Sequence, residues 1–334
     1  MTALLGITLS PPLMRALVAV TGLAQATGWS GNVGTMAGWF HKRERGKVMG
    51  AWANCFTVGA LTSGWAMAWV LDRHAPGQPA PWRWCFFVGA AVLAPIWIQF
   101  FVLQRNKPED VGLAPVDDPA DEAKEAGAEP PKGLGLSRDA WINLFLVAGF
   151  YFFAKFVRYA MWSWAAYFLQ TSYGLTGARA NVYATAFDLT GIGGVFVAGW
   201  ISDRFFRSRR SGVAFGMMIA MTATTALLVA FGSAGVNVFA VLLGLVGFTL
   251  YGPDALLTSA GAIDIGSRRS ATFATAMISG FGSLGAVVQE LVIARTFDAK
   301  HALGPVFQLL FGSAAFASLF CLALVVRDRR GRGV

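Results

Sequence analysis

The feature that most constrains this chain is a series of long apolar runs, separated by short clusters that hold almost all of its charge. A helix needs about 20 mostly apolar residues to cross the hydrocarbon of a bilayer. Inside lipid every backbone polar group must find its partner within the protein, so only helices and closed barrels can span. These runs are too long and too evenly apolar for barrel strands, which alternate over about 10 residues. The expectation is an all-α membrane protein with nine spans: Leu13–Gly38, Val48–Leu71, Trp84–Leu103, Trp141–Leu169, Asn181–Ile201, Val213–Phe231, Val236–Leu256, Ala271–Leu291 and Val306–Val326. Composition agrees, since only 13% of residues are charged, against roughly a quarter in soluble domains.

Lys and Arg decide the orientation, because they accumulate in cytoplasmic loops. One set of loops carries Lys42, Arg43, Arg45 and Lys47, then the basic residues between Arg105 and Arg138, then Arg204 to Arg210, Arg268 with Arg269, and Arg327 to Arg332. The opposite set holds Arg73, Arg83, Arg179, Arg295 and Lys300, with Arg15 near the mouth of the first span. Nine helices thread this asymmetry without conflict, which predicts a multi-pass protein of the inner (plasma) membrane with a cytoplasmic C-terminus. The net charge of +9 then points to anionic lipid rather than nucleic acid, for which no basic-aromatic motif is present.

The stretch 105–138 is rich in Pro, Ala, Asp, Glu and Gly, lacks apolar helical periodicity, and is expected to be a flexible cytoplasmic linker. It divides the chain into 1–104, read as an incomplete N-terminal bundle, and 139–334, read as a six-helix bundle with a cytoplasmic tail. Three spans precede the linker and six follow it. Met1 to Ser10 has neither a basic n-region nor a cleavage site and reads as the tail of a helix, so three N-terminal helices are expected to be missing from an original twelve. Cys55, Cys85 and Cys321 are widely spaced within apolar runs and imply neither disulfides nor a metal site.

Two motifs invite an enzyme reading. Gly28-Trp-Ser30-Gly31 has the form of an intramembrane serine protease motif, but His41, His74 and His301 all fall in polar loops, leaving no intramembrane base. Gly280-Phe-Gly282-Ser-Leu-Gly285 matches a dinucleotide fingerprint but lacks the strand and downstream acid that it requires. Small residues at such spacing in an apolar helix let a neighbouring helix approach closely. No enzymatic activity and no cofactor are expected.

Gly199-Trp-Ile-Ser-Asp203-Arg204, followed by Arg207, Arg209 and Arg210, resembles the loop that joins the second and third helices of each half in major facilitator transporters. More specific pieces resemble the organophosphate:phosphate antiporter branch of that superfamily. They are Gly28-Trp29 through Trp39-Phe40, Lys42-Arg43-Glu44-Arg45-Gly46, Trp52, Arg105-Asn-Lys-Pro108-Glu-Asp-Val-Gly112, Val157-Arg158-Tyr159 with Trp164, Gly191-Ile-Gly-Gly194, Tyr251-Gly252-Pro253, and the glycine run from Gly280 to Gly285. The resemblance implies the major facilitator fold and two bundles around a midplane cavity. It also implies alternating-access transport of a small organic anion, such as a phosphorylated metabolite exchanged for inorganic phosphate, by a monomer. Two other readings stay open. One is a transporter-like sensor of a sugar phosphate; the other is a proton-coupled carrier of a carboxylate or another polar solute, in which Asp188 would titrate.

Charged side chains inside a span are costly and mark cavities or partners. Lys155 and Arg158 stand three residues apart on one helical face and are the expected anion ligands, the guanidinium offering a fork suited to phosphate or carboxylate. Asp188, placed about a third of the way into the next span, is expected as a partner or gate. A purely structural alternative has either cation pair with Asp188 to lock two helices. The resemblance adds Tyr251 as a cavity hydroxyl, and Gln25, Asn32 and Asn54 are weaker candidates from the first half, equally compatible with interhelical hydrogen bonds. By resemblance Asp203 and Arg204 latch the cytoplasmic gate, with Glu44 and Arg45 as their quasi-symmetric counterparts.

Overall fold

A computed structural model describes residues 1–71, 82–116, 136–175, 177–205, 210–300 and 303–332. Among them the secondary structure is entirely helical: α1 Thr2–Ile7, α2 Pro11–Trp39, α3 Lys42–Leu71, α4 Trp82–Leu103, α5 Arg138–Thr171, α6 Gly177–Ala184, α7 Ala186–Phe205, α8 Arg210–Phe231, α9 Val236–Ala255, α10 Gly261–Lys300 and α11 Leu303–Arg329, with short 3-10 and π turns between some of them. Two compact units result, one made of Met1–Trp39 and Cys55–Val116, the other of Phe40–Asn54 and Asp117–Val334.

Seven helical segments among the described residues are long and apolar enough to cross a membrane: Trp82–Leu103, Arg138–Thr171, Arg179–Ser202, Arg210–Ala234, Val236–Thr258, Ala271–Phe297 and Leu303–Arg329. The expected count of nine is therefore not reached on hydropathy. Leu13–Gly38 and Val48–Leu71 do lie within the long helices α2 and α3, but Gly, Thr, Ser, Gln25 and Asn32 dilute the apolar content of the first. The large apolar side chains on the outside of the second unit, Leu189, Trp200, Leu291 and Leu319, are more than half exposed, as a surface solvated by lipid requires.

In the first unit, α1 packs on α4. Gly6 makes room for this, since a Cβ there would lie 3.0 Å from the Phe87 ring. The first part of the stretch expected to be a flexible linker is folded. Residues 105–112 fold into a capped 3-10 turn, Pro108–Val111. The backbone N–H groups of Asn106 and Lys107 donate to Asp110 Oδ2 at 3.1 and 3.2 Å, and Gly112 closes the turn at φ +76°, a left-handed position that favours glycine. Trp39 Nε1 donates to the Arg105 carbonyl at 3.3 Å, tying the turn to the end of α2. The remainder of the expected linker, 117–135, lies outside the described residues.

In the second unit, α5 packs against α10 and α11, α7 against α9, and α8 against α9 and α11. Glycine decides the closest approaches. A Cβ on Gly194 of α7 would sit 2.0 Å from the Phe248 carbonyl oxygen of α9, and one on Gly247 would sit 2.1 Å from that of Phe187. A Cβ on Gly285 of α10 would likewise sit 2.0 Å from the Phe152 carbonyl oxygen of α5, so the glycine run behaves as a packing face. Phe150, Phe168, Phe239 and Phe307 fill the core. At the end where α5 begins and α11 finishes, Arg327 donates to Asn143 Oδ1 at 2.7 Å and Asp139 Oδ1 at 2.6 Å, while Ser211 donates to Asp328 at 3.0 Å.

Two boundaries differ from expectation. The loop expected between Leu256 and Ala271 is a π turn, Leu256–Ala260, followed directly by α10; a basic segment without proline stays helical where it leaves the apolar layer. The span that carries Asp188 is interrupted at Thr185, whose hydroxyl donates to the Val182 carbonyl at 2.6 Å, the kind of back-bond that bends helices. Asp188 consequently stands in the first turn of α7.

Candidate functional site

The charged residues inside the second unit converge from α5, α7 and α9. Arg158 of α5 forms an ion pair with Asp254 of α9, and the two side chains expose only 12% and 8% of their surface. The Arg158 guanidinium also lies over the Tyr251 ring, 4.2 Å from its centroid. The Tyr251 hydroxyl donates to Asp188 Oδ1 at 2.5 Å. Arg158 therefore meets one carboxylate directly and a second through an intervening phenol. The structural alternative of a direct pair with Asp188 is replaced by a pair with Asp254.

Lys155, one turn before Arg158, is built into a different setting. Its ammonium donates to Ser283 Oγ of α10 at 3.1 Å and lies 4.8 Å from the Tyr151 ring centroid and 5.8 Å from that of Tyr159. Cation–π contacts of this kind are worth about 0.5–2 kcal/mol, more as water is excluded. Among the described residues Lys155 forms no ion pair with a carboxylate.

Glycines seat both tyrosine rings. A Cβ on Gly191 of α7 would lie 2.5 Å from Tyr251, and one on Gly282 of α10 would lie 2.4 Å from Tyr151. Each cation thus rests on a ring, and each ring rests on a glycine of an adjacent helix. Downstream, Pro253 stands within α9 and the helix passes into the π turn, where Thr258 Oγ1 lies 2.7 Å from the Asp254 carbonyl and 3.3 Å from Asp254 Oδ1. Pro removes one helical bond, and a π turn is a frequent way of aiming side chains at functional positions.

Of the residues nominated from sequence, Arg158, Lys155, Asp188 and Tyr251 meet in this cluster. Asn54 is buried, Asn32 partly buried, and Gln25 exposed. Glu44 and Arg204 are exposed. The side chains of Arg45 and Asp203 lie outside the described residues, and the expected gate latch lies there with them. Sequence reasoning passed over Asp254, one residue beyond the quoted Tyr251-Gly252-Pro253, although an ionisable residue within a span is itself a signal. Ser283, Tyr151 and Thr258 had no such signal, since hydroxyls and rings are common in membrane helices.

A separate cavity of about 630 Å³ opens where α5 and α10 end, lined by Tyr167, Thr171, Tyr173, Ser233, Phe297 and Gly304 among others. Its described lining is mainly aromatic and hydroxylic, together with Leu303 and Gly304.

Comparison with known proteins places these features in a family. A glycerol-3-phosphate transporter of Bacillus subtilis is 30% identical to the chain over 294 residues, covering 84% of the chain and 63% of that protein. A glucose-6-phosphate exchanger of Bos taurus is 28% identical over 345 residues, covering 92% of the chain and 67% of that protein. The chain spans about 62% of the length of a relative from Arabidopsis thaliana, so it matches roughly two thirds of such proteins. Among solved structures, the Escherichia coli fucose:proton symporter superposes with a TM-score of 0.51 at 16% identity, over 79% of this chain and 60% of the symporter, a likeness of fold alone. The Major Facilitator Superfamily model matches residues 1–290. With its helical architecture, its glycine-seated helix pairs and a sequence match over most of its length, the chain belongs to the Major Facilitator Superfamily.

Proposed function

We propose that this protein is a secondary carrier of a small organic anion, of the kind that exchanges a phosphorylated metabolite for inorganic phosphate by alternating access. The observation that carries the reading is the placement of Arg158 and Lys155. Two cations, one turn apart, project from α5 within the second unit, Arg158 on Asp254 and the Tyr251 ring, Lys155 on Ser283 and two tyrosine rings. A guanidinium supplies a planar fork and an ammonium a point charge, and together they match a phosphoryl group with several acceptor oxygens. The named activities of the Bacillus and Bos relatives support that cargo class.

In this reading α2 and α3 also span the membrane, giving nine spans with the C-terminus on the cytoplasmic side of the inner membrane, and the protein acts as a monomer. Residues 1–104 and 139–334 belong to separate bundles. Asp203 and Arg204 latch the cytoplasmic gate, with Glu44 and Arg45 as counterparts; Gln25, Asn32 and Asn54 contribute polar contacts from the first half.

The test is counterflow in proteoliposomes loaded with inorganic phosphate and offered glycerol 3-phosphate or glucose 6-phosphate. Uptake dependent on trapped phosphate is expected. Arg158→Lys, which keeps the charge and loses the fork, should reduce it on the order of 100-fold, the equivalent of about 2–3 kcal/mol of charge-assisted hydrogen bonding, at unchanged membrane abundance. Full uptake by Arg158→Lys would remove the arginine from the ligand set. Binding without any uptake would make the protein a sensor.

A further inference from the structure

Asp254 occupies the position on Arg158 that an anion would take. Its carboxylate is buried, exposed by 8%, and it sits at the junction of Pro253 and the π turn. We propose that Asp254 is an internal competitor for the transported anion: the incoming anionic group replaces it on Arg158, and the released carboxylate takes up one proton from water. Anion loading is thereby coupled to proton uptake. The inference rests on the carrier reading and deepens it by naming the coupling group.

The argument is one of charge in a medium that solvates charge poorly. Before an anion arrives, the cluster holds two cations, Lys155 and Arg158, and two carboxylates, Asp188 and Asp254, so it is already balanced. A dianionic guest would leave an excess of two negative charges. A buried carboxylate stripped of its guanidinium is the group most readily neutralised, because burial disfavours its charged form and it protonates instead. Asp188 is placed differently, since it keeps its Tyr251 hydroxyl whether or not Arg158 changes partner. Asp254 loses its ion pair.

The surroundings of Asp254 can serve both of its forms. The Thr258 hydroxyl, 3.3 Å from Oδ1, donates to a carboxylate and can rotate to accept from a carboxylic acid. The groups facing Asp254 are Tyr151, Lys155, Arg158 and Tyr159 from α5, and Asp188 from α7 through Tyr251. At this level α8 contributes Met217 beside Gly252, and α10 contributes Ser283 on Lys155.

The experiment uses the full chain, purified in lightly buffered detergent with a pH indicator, and titrates it with inorganic phosphate and with glycerol 3-phosphate. About one proton taken up per anion bound is expected, and apparent affinity should weaken about tenfold for each unit of rising pH. Asp254→Asn should bind with no proton uptake of its own and a flattened pH profile, the difference from the unaltered chain removing any proton carried by the phosphate group. Asp254→Glu should restore both behaviours, and it decides the matter if the amide variant does not fold. Asp188→Asn should leave proton uptake in place. Anion binding without proton uptake, or uptake undiminished in Asp254→Asn, overturns the inference and leaves the carrier reading standing. Failure of both anions to bind at any pH overturns both.

Discussion

Arg158 and Lys155 occupy two stations of similar construction that reach opposite electrostatic states. Both cations lie over a tyrosine ring, Tyr251 for one and Tyr151 for the other, and both rings are seated on a glycine of a neighbouring helix. On the α7–α9 side the cation has a carboxylate partner; on the α10 side, among the described residues, it has a serine hydroxyl as its hydrogen-bond acceptor. The difference teaches that the two charges are held in the interior by different means. Arg158 is stabilised by its pairing with Asp254, which an anion would have to displace in the proposed carrier. Lys155 is held by ring faces, a hydroxyl and partial exposure, so in the proposed carrier it is the station open to a first contact.

This contrast can be broken by truncation. Arg158→Ala leaves Asp254 buried and uncompensated, which should lower stability by about 3–5 kcal/mol, whereas Lys155→Ala strands no carboxylate and should change thermal melting in detergent little while weakening anion binding. Equal destabilisation by the two would contradict the asymmetry. The seats come next: Gly191→Val and Gly282→Val each force a ring to move, at about 1–3 kcal/mol of overpacking. Uptake assays alongside melting should show Gly191→Val disturbing the Arg158 station and Gly282→Val the Lys155 station, read as different shifts in the pH profile of binding. A smaller effect, about 1–2 kcal/mol, is expected for Tyr251→Phe, which removes the donor to a buried Asp188; a melting temperature identical to the parent would show that this bond contributes nothing. Least of all should change with Asp139→Ala. Its carboxylate is half exposed, and surface pairs of this kind contribute about 0–1 kcal/mol, so it calibrates how far burial alone separates the Arg158–Asp254 pair from the Arg327–Asp139 pair.

The helices were legible because a bilayer imposes a crude rule on composition, and lengths near 20 apolar residues satisfy it without reference to any neighbour. The same crudeness explains the discrepancies. α2 carries enough Gly, Thr and amide side chains to fall below the hydropathy of the other spans while still being a 29-residue helix. Residues 105–112 read as linker because polar composition masks local capping, and the Asp110 bonds that fix the turn span only three or four residues. The helix that crosses the expected loop before Ala271 had no proline to announce an end.

The site divides in the same way. Arg158, Lys155 and Asp188 could be picked out one by one, since each is expensive in lipid, and their spacing put the first two on one face. Sequence alone thus determined that this protein spans a membrane and that cations stand within its spans. Which carboxylate answers Arg158 was decided only by tertiary structure. Helical periodicity gives the direction of a side chain within its own helix but not the identity of the helix beside it. That identity depends on Gly191, Gly194 and Gly247, whose missing Cβ atoms let α7 and α9 close together and so bring Tyr251, Asp254 and Asp188 to a guanidinium nearly a hundred residues away from Asp254 in the chain.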